Sequence, residues 1–200
     1  MARVRDVEID EVPEDARDVY RTFATSYGPF LNQVKVFAHR PPALRHIMGL
    51  LLELAEESVL PKRYLEIALV TVSKLNECTY CVAHHTPRLV EQGLGPETVA
   101  NILETDCPGL DEVDRLVRDY AHEVTTKPQY MRDAIFARLR EHFSEEQIVE
   151  LTLRTALCGF FNRFNDALQI GMEEGVIEDM LAKGSTEQDL PAHQAAAAGD

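Results

Sequence analysis

The sequence predicts an all-α fold, on three observations. Prolines stand where helices start: Pro13, Pro41-Pro42, Pro61 and Pro96 each introduce a helix-forming segment. Ser144-x-x-Gln147 reads as a capping box before the apolar run Ile148–Leu157. Strand signals are weak, because β-branched residues are scattered and no Asn-Gly or Asp-Gly marks a hairpin.

The elements follow in order. Pro13 with Glu14 and Asp15 opens a helix to about Ser26, and Gly28-Pro29 breaks it. A short helix over about 30–38 comes next. From Pro41, Leu44, Ile47, Met48, Leu51, Leu52 and Ala55 fall on one stripe. Pro61 starts a helix to Leu75, and a helix from about Cys78 ends near Gly93, a glycine stop. Pro87, early after His85, lacks the N–H that would continue the ladder and is expected to kink or restart that helix. Further helices are expected over 96–104, 110–125, 130–142 and 144–172. Residues 64–72 read Tyr-Leu-Glu-Ile-Ala-Leu-Val-Thr-Val, apolar nearly all round, so that helix should be central. Glu66 lies inside it, and a carboxylate there must find a partner or become protonated.

The chain has 200 residues, enough to bury a core without a disulfide or metal staple. One helical domain is expected over 1–183, with a motif-bearing half at about 30–125, a second half at about 126–183, and a flexible tail at 184–200 that includes Ala195–Ala198. Twenty Lys and Arg against 34 Asp and Glu give a net charge of −14. That balance disfavours nucleic acid and anionic membrane surfaces, both of which select basic patches. Met1–Glu11 carries no long apolar stretch, and the runs Met48–Leu54 and Leu65–Val72 fall far short of a membrane span. A cytoplasmic protein is expected.

The chemistry concentrates in Cys78-Thr79-Tyr80-Cys81-Val82-Ala83-His84-His85. On a helix, Cys81 and His85 are i and i+4 and share a face. Cys78 falls at the expected helix start, where the dipole favours a thiolate, and thiols in Cys-x-x-Cys pairs reach pKa values of roughly 3.5–7.5. An imidazole one turn on can take a thiol proton. Two alternatives stand beside this reading: inert core cysteines, and zinc ligated by cysteine and histidine. His84 points about 100° away from His85 and is expected at the surface or around the site. Glu66, on the preceding helix, could orient the imidazole as the third member of a triad does.

Glu66-x11-Cys78-x2-Cys81-x3-His85 closely resembles the signature of the alkylhydroperoxidase D-like proteins of the carboxymuconolactone decarboxylase superfamily. Phe37-Ala38-His39-Arg40-Pro41, Leu60-Pro61 and Gly93-Leu94 resemble its surroundings in the peroxidase-related branch. The resemblance implies an all-helical homo-oligomer (dimer, trimer or hexamer) and a thiol-dependent peroxidase needing no haem, flavin or metal. By position, it implies Cys81 as the nucleophile that attacks a hydroperoxide and Cys78 as the resolving thiol. His85 is then the base and Glu66 its orienting carboxylate. A thiol or dithiol reductant, lipoyl or thioredoxin-like, restores the pair. Where these proteins often carry a histidine between the cysteines, this chain has Tyr80. Two other classes stay open: a cofactor-free decarboxylase-like enzyme on a small carboxylated ring, using His85 and Glu66, and a zinc-binding or interaction protein.

A degenerate second copy is suggested. Glu66–His85 set against Glu150–Gln169 shares Glu66/Glu150, Leu69/Leu153, Thr71/Thr155 and Ala83/Ala167, and places Asn162, Asn165 and Gln169 where the first copy has Cys78, Cys81 and His85. This copy is read as a structural half that packs against the active half; Asn162 and Asn165 could instead line the pocket and bind a polar or anionic group. Cys107, in Asp106-Cys107-Pro108-Gly109, is read as an exposed spare thiol, and Cys158 as core.

Overall fold

A computed structural model describes residues 2–191. Among these, helices and turns account for the backbone and no strand occurs. The expected flexible tail lies outside the described residues from 192 onward, Ala195–Ala198 included. The backbone gathers into two units, one of residues 2–58 and 165–176, the other of 59–164 and 177 onward. These boundaries differ from the halves expected at about 30–125 and 126–183.

In the first unit, α1 (Glu14–Thr22) carries Glu14 and Asp15 in its first turn, the favourable end for acids. It widens into a π-type turn at Phe23–Tyr27, where the two rings stack 4.4 Å apart. Gly28 then turns the chain at φ 140°, a conformation closed to side-chain-bearing residues. α2 (Leu31–Phe37) follows. The stretch expected as one helix from Pro41 is α3 (Pro41–Ala43), a π-type turn over Leu44–Met48, and α4 (Gly49–Glu57). Val12, Ala16, Phe23, Val34, Leu44 and Met48 are buried here.

The second unit holds the motif. α5 (Lys62–Leu75) is buried continuously from Glu66 to Ser73, as its apolar circumference predicts. It packs against α6 (Thr79–Glu91) and, beyond α7 (Pro96–Ala100), against α8 (Glu112–Thr126). The first turn of α5 is fixed to α8 by Arg63, whose Nε and Nη2 both donate to the carboxylate of fully buried Asp114. Asp114 also completes a capping box with Asp111. α6 runs through Pro87 without stopping, and the residues on both sides of the proline are helical. The helix does not restart there, because one missing donor is outweighed by a helix buried from Thr79 to Pro87. α9 (Asp133–His142) and α10 (Glu145–Leu168) follow, the second opened by the expected Ser144–Gln147 box. α11 (Val176–Ala182) ends at Gly184, where φ is 89° and an added Cβ would come 2.7 Å from Pro96 Cγ. After it, Asp189 approaches Lys74 Nζ at 3.8 Å, and Thr79 Oγ1 donates to the Pro191 carbonyl at 3.4 Å. No helix among the described residues is long and apolar enough to cross a membrane.

α10 stops at Leu168, four residues before the expected Met172. Gln169 takes φ 51°, its N–H bonds the Asp166 carbonyl and that of Ile170 bonds Asn165, a Schellman termination. The helix break therefore comes at Gln169 in this segment, whereas the motif segment breaks much earlier, at Glu77. Glu150 to Leu168 is one helix where Glu66 to His85 is two.

Candidate active site

The joint between α5 and α6 sets the geometry. Glu77 adopts the left-handed conformation at φ 55° and donates to Lys74 O, while Cys78 N–H donates to Ser73 O at 3.0 Å. This is again a Schellman termination. Cys78 is also the N-cap of α6, and its carbonyl accepts from Val82 N–H at 3.0 Å. One residue thus closes one helix and opens the next.

The joint folds α6 back along α5 and brings His85 to Glu66. His85 Nδ1 lies 2.9 Å from Glu66 Oε2, and both residues are buried. A carboxylate accepts, so the neutral imidazole carries its proton on Nδ1 and keeps the lone pair on Nε2. Arg88, one turn further along α6, brings Nη1 to 3.9 Å from Glu66 Oε1. Burial lowers the pKa of His85 below its ordinary 6.5. Glu66 pulls it up without overcoming that, and Arg88 and His84 add to the lowering. His85 is a neutral base near pH 7.

The thiols depart from expectation. Cys78 and Cys81 are both buried and unbonded to each other, with Cys81 in side-chain hydrogen-bond contact with Cys78. The pKa of Cys81 is raised well above the ordinary thiol value, not lowered as the motif predicts. Its hydrogen bond with Cys78 is the largest cause, burial the next, and the neighbouring Cys78 and Cys158 sulfurs add to it. Cys78 and burial together outweigh whatever a helix start would contribute to an acidic thiol.

Cys158, read as core alone, adjoins this pair from α10. Its thiol approaches Ser73 Oγ at 3.4 Å and the Leu69 carbonyl at 3.6 Å, and burial pushes its pKa up to about 12. Asn162, one turn along, is fully buried. It accepts from Asn76 Nδ2 at 2.8 Å, and its own Nδ2 lies 3.5 Å from Ser73 Oγ and 3.8 Å from Cys158 Sγ. Its presence draws the Cys81 pKa down, against the larger effects of Cys78 and burial. Asn165, its proposed companion, is employed differently: its Oδ1 accepts from Gln33 Nε2 at 2.9 Å in the first unit.

Tyr80 and His84 stack with ring centres 4.1 Å apart, and His84 Nδ1 meets the Tyr80 carbonyl at 2.6 Å. His84 is buried, not on the surface, because the flank of α6 that it shares with Tyr80 is covered as well. Cys107 is also buried, with its thiol donating to Thr98 O at 3.4 Å, so it is not an exposed spare thiol. The motif reading passed over Arg88, Ser73 and Asn76. Arg88 was detectable as i+3 from His85. Ser73 and Asn76 carry no sequence signal, since they matter only through α10. Among the described residues, no group of three or more His, Cys, Asp or Glu side chains is placed to hold a metal ion.

Residues 41–109, which include the motif, match the carboxymuconolactone decarboxylase family. The chain resembles the alkylhydroperoxidase D-like branch of that superfamily. The AhpD-core, peroxidase-related protein from Ralstonia eutropha JMP134 is 22% identical, covers 88% of this chain and 94% of its own, and superposes with a TM-score of 0.71. A debrominase, crystallised as a cysteine-to-alanine variant with 2,3,4-tribromopyrrole, is 18% identical over 91% of this chain and 98% of its own, with a TM-score of 0.70. The protein YnjA of Escherichia coli K12 is 24% identical over 147 residues, 72% of this chain and 80% of that protein. At these identities the solved structures establish an AhpD-like helical fold.

Proposed function

We propose that this chain is a thiol-dependent peroxidase that reduces hydroperoxides through Cys81 and Cys78. The observation that carries the reading is the buried Glu66–His85 hydrogen bond, on the same two helices that bring the cysteines into contact. His85 Nε2 takes the Cys81 proton as substrate arrives, and Glu66 steadies the imidazolium that results. The Cys81 sulfur attacks the terminal peroxide oxygen. The O–O bond breaks, the alkoxide takes a proton and leaves as alcohol, and Cys81 becomes a sulfenic acid. The Cys78 sulfur then displaces hydroxide, released as water, to give the Cys78–Cys81 disulfide. A dithiol reductant, lipoyl or thioredoxin-like, restores both thiols by exchange. Such a cycle needs a reducing compartment, which supports a cytoplasmic setting. The raised pKa of Cys81 fits a nucleophile that ionises only when His85 draws off its proton.

The reading also includes a homo-oligomer. Val149, Leu153 and Phe160 are exposed apolar residues on one face of α10, the kind of stripe a second copy would cover.

The test is peroxide consumption with a dithiol donor. The wild-type chain should turn over hydroperoxide, and Cys81→Ser should abolish it. Full activity in Cys81→Ser would sink the mechanism. Two further arms separate the other chemistries. Turnover of 2,3,4-tribromopyrrole (carbon–bromine bond replaced by carbon–hydrogen, bromide released, dithiol oxidised) without peroxide consumption would mark a dehalogenase. Decarboxylation of a small carboxylated lactone surviving the double Cys78→Ser, Cys81→Ser change would favour the second reading. That reading draws on the family match of residues 41–109, and rests on His85 and Glu66 alone.

A further inference from the structure

We propose that the cleft between α8 and the turn at 101–106 binds a small organic monocarboxylate, its charge held by Arg115 and Arg118 and its carbon body laid against Leu103. The site is separate from the cysteine pair: none of Glu66, Cys78, Cys81 and His85 lines it.

The cleft is open and encloses about 410 Å3, within the range of small-molecule sites. Leu103 and Thr105 line it from the turn, and Arg115, Arg118, Asp119 and His122 from α8. Positions 115, 118, 119 and 122 are spaced i, i+3, i+4 and i+7, so they share one face of the helix. Arg118 builds the wall, and it is only 5% exposed. Its Nη1 donates to the Ile102 and Glu104 carbonyls at 2.9 and 2.6 Å. Its Nη2 donates to the Thr105 carbonyl at 3.4 Å, and its Nε to Asp119 Oδ1 at 2.6 Å. One buried side chain thus pins the turn to the helix, so the cleft is preformed. A guanidinium has five N–H groups. These bonds use four, one of them long, and leave a donor on Nη2.

Charge selects the class of ligand. Arg118 is matched by Asp119. Arg115 is exposed and makes no hydrogen bond or ion pair among the described residues. Two guanidiniums against one carboxylate leave the lining with one positive charge in excess, in a chain whose net charge is −14. That excess suits a single carboxylate, whereas a phosphate dianion would set its second charge against Asp119. Side chains three apart on a helix stand about 5–6 Å apart at Cβ, so Arg115 and the spare Arg118 donor can reach one carboxylate together. Such charge-assisted bonds are roughly twice as strong as neutral ones. Leu103, a large apolar side chain left 41% exposed, supplies the surface that a hydrocarbon body would cover.

The test is a ligand-observed NMR titration of the full chain at constant ionic strength, with hexanoate, benzoate, hexanol and inorganic phosphate as probes. Hexanoate or benzoate should bind saturably at one site, with a Kd of about 1 mM or tighter. Hexanol and phosphate should bind at least about tenfold more weakly. Arg115→Gln should weaken carboxylate binding about tenfold, because a charge-assisted bond is lost. Leu103→Ser should weaken it several-fold. Both side chains are exposed, so neither change opens the core. Arg21→Gln, the same charge change on α1, should leave binding unaltered. The proposal is overturned if neither carboxylate binds saturably, or if Arg115→Gln binds as tightly as the wild type. It is equally overturned if Arg21→Gln loses as much affinity, or if hexanol or phosphate matches the carboxylates.

Discussion

His85 Nδ1 donates to Glu66 Oε2 across 2.9 Å, linking the middle of one buried helix to the first turns of another. The bond dictates which ring nitrogen can act as a base. It also opposes the effect of burial on the imidazole, because Glu66 draws the His85 pKa upward while desolvation pushes it down.

Replacing the carboxylate should therefore weaken the base as well as misplace it. Glu66→Gln is expected to cut peroxide turnover by about 10²-fold, within the usual share of general-base catalysis. The acid limb of the rate profile should shift to lower pH, since the residue that raises the His85 pKa has lost its charge. A steady-state pH profile checks both. A limb that moves to higher pH would contradict the electrostatic role given to Glu66.

The same imidazole couples stability to acidity. An unfolded His85 takes a proton near 6.5, whereas the folded one resists it until lower pH. Between those values the unfolded state binds more protons, so stability is full above about 6.5 and declines as pH falls through the folded value. Urea unfolding at several pH values should show this decline in the wild type, and a shallower one in His85→Gln. Equal slopes in the two chains would remove His85 from the acid response.

Cys78 is the largest cause of the raised Cys81 pKa. Cys78→Ala should thus make Cys81 more reactive to iodoacetamide at neutral pH, by several-fold, while ending disulfide formation. Peptide mass spectrometry of timed alkylation reads the first effect, and thiol counting after a peroxide pulse reads the second. Slower alkylation in the variant would reverse the assigned cause.

Arg63 and Asp114 hold the entry to α5, with the Asp114 side chain fully buried. Arg63→Ala strands that carboxylate and should cost roughly 3 kcal/mol, or about 2–4 °C of Tm for each kcal/mol at this chain length. Arg63→Met combined with Asp114→Leu should recover much of the loss, because nothing charged is then left inside. Calorimetry on the three chains decides, and a double variant no better than Arg63→Ala would argue against an unpaired charge as the cause.

The helices and their caps were largely legible because their signals are local. Ser144 with Gln147, the proline starts and Gly93 act within a turn of themselves. The Glu66–His85 pairing was legible at longer range because two helices joined by a tight turn leave few ways to fold back. Burial was not legible. The motif promised an acidic thiol, and the neighbouring Cys78 together with burial raised the Cys81 pKa instead. Cys158 and Asn162 were read from their own segment, one as filler and the other as pocket lining. Their contact with Ser73 and Asn76 depends on α10 continuing without the break that the motif segment has, and helix continuity is a tertiary outcome that pairwise spacing does not encode.

Cys78 gives the N–H that closes α5 and the carbonyl that opens α6, so its sulfur hangs from a hinge. A covalent bond from that sulfur to Cys81 loads the backbone on both sides of the hinge at once. In the proposed cycle, closing that disulfide would change how firmly the two helix ends hold their amide protons. Hydrogen exchange over 73–82 in the reduced and oxidised chain would register it, and identical protection in both states would show a hinge that bears no load.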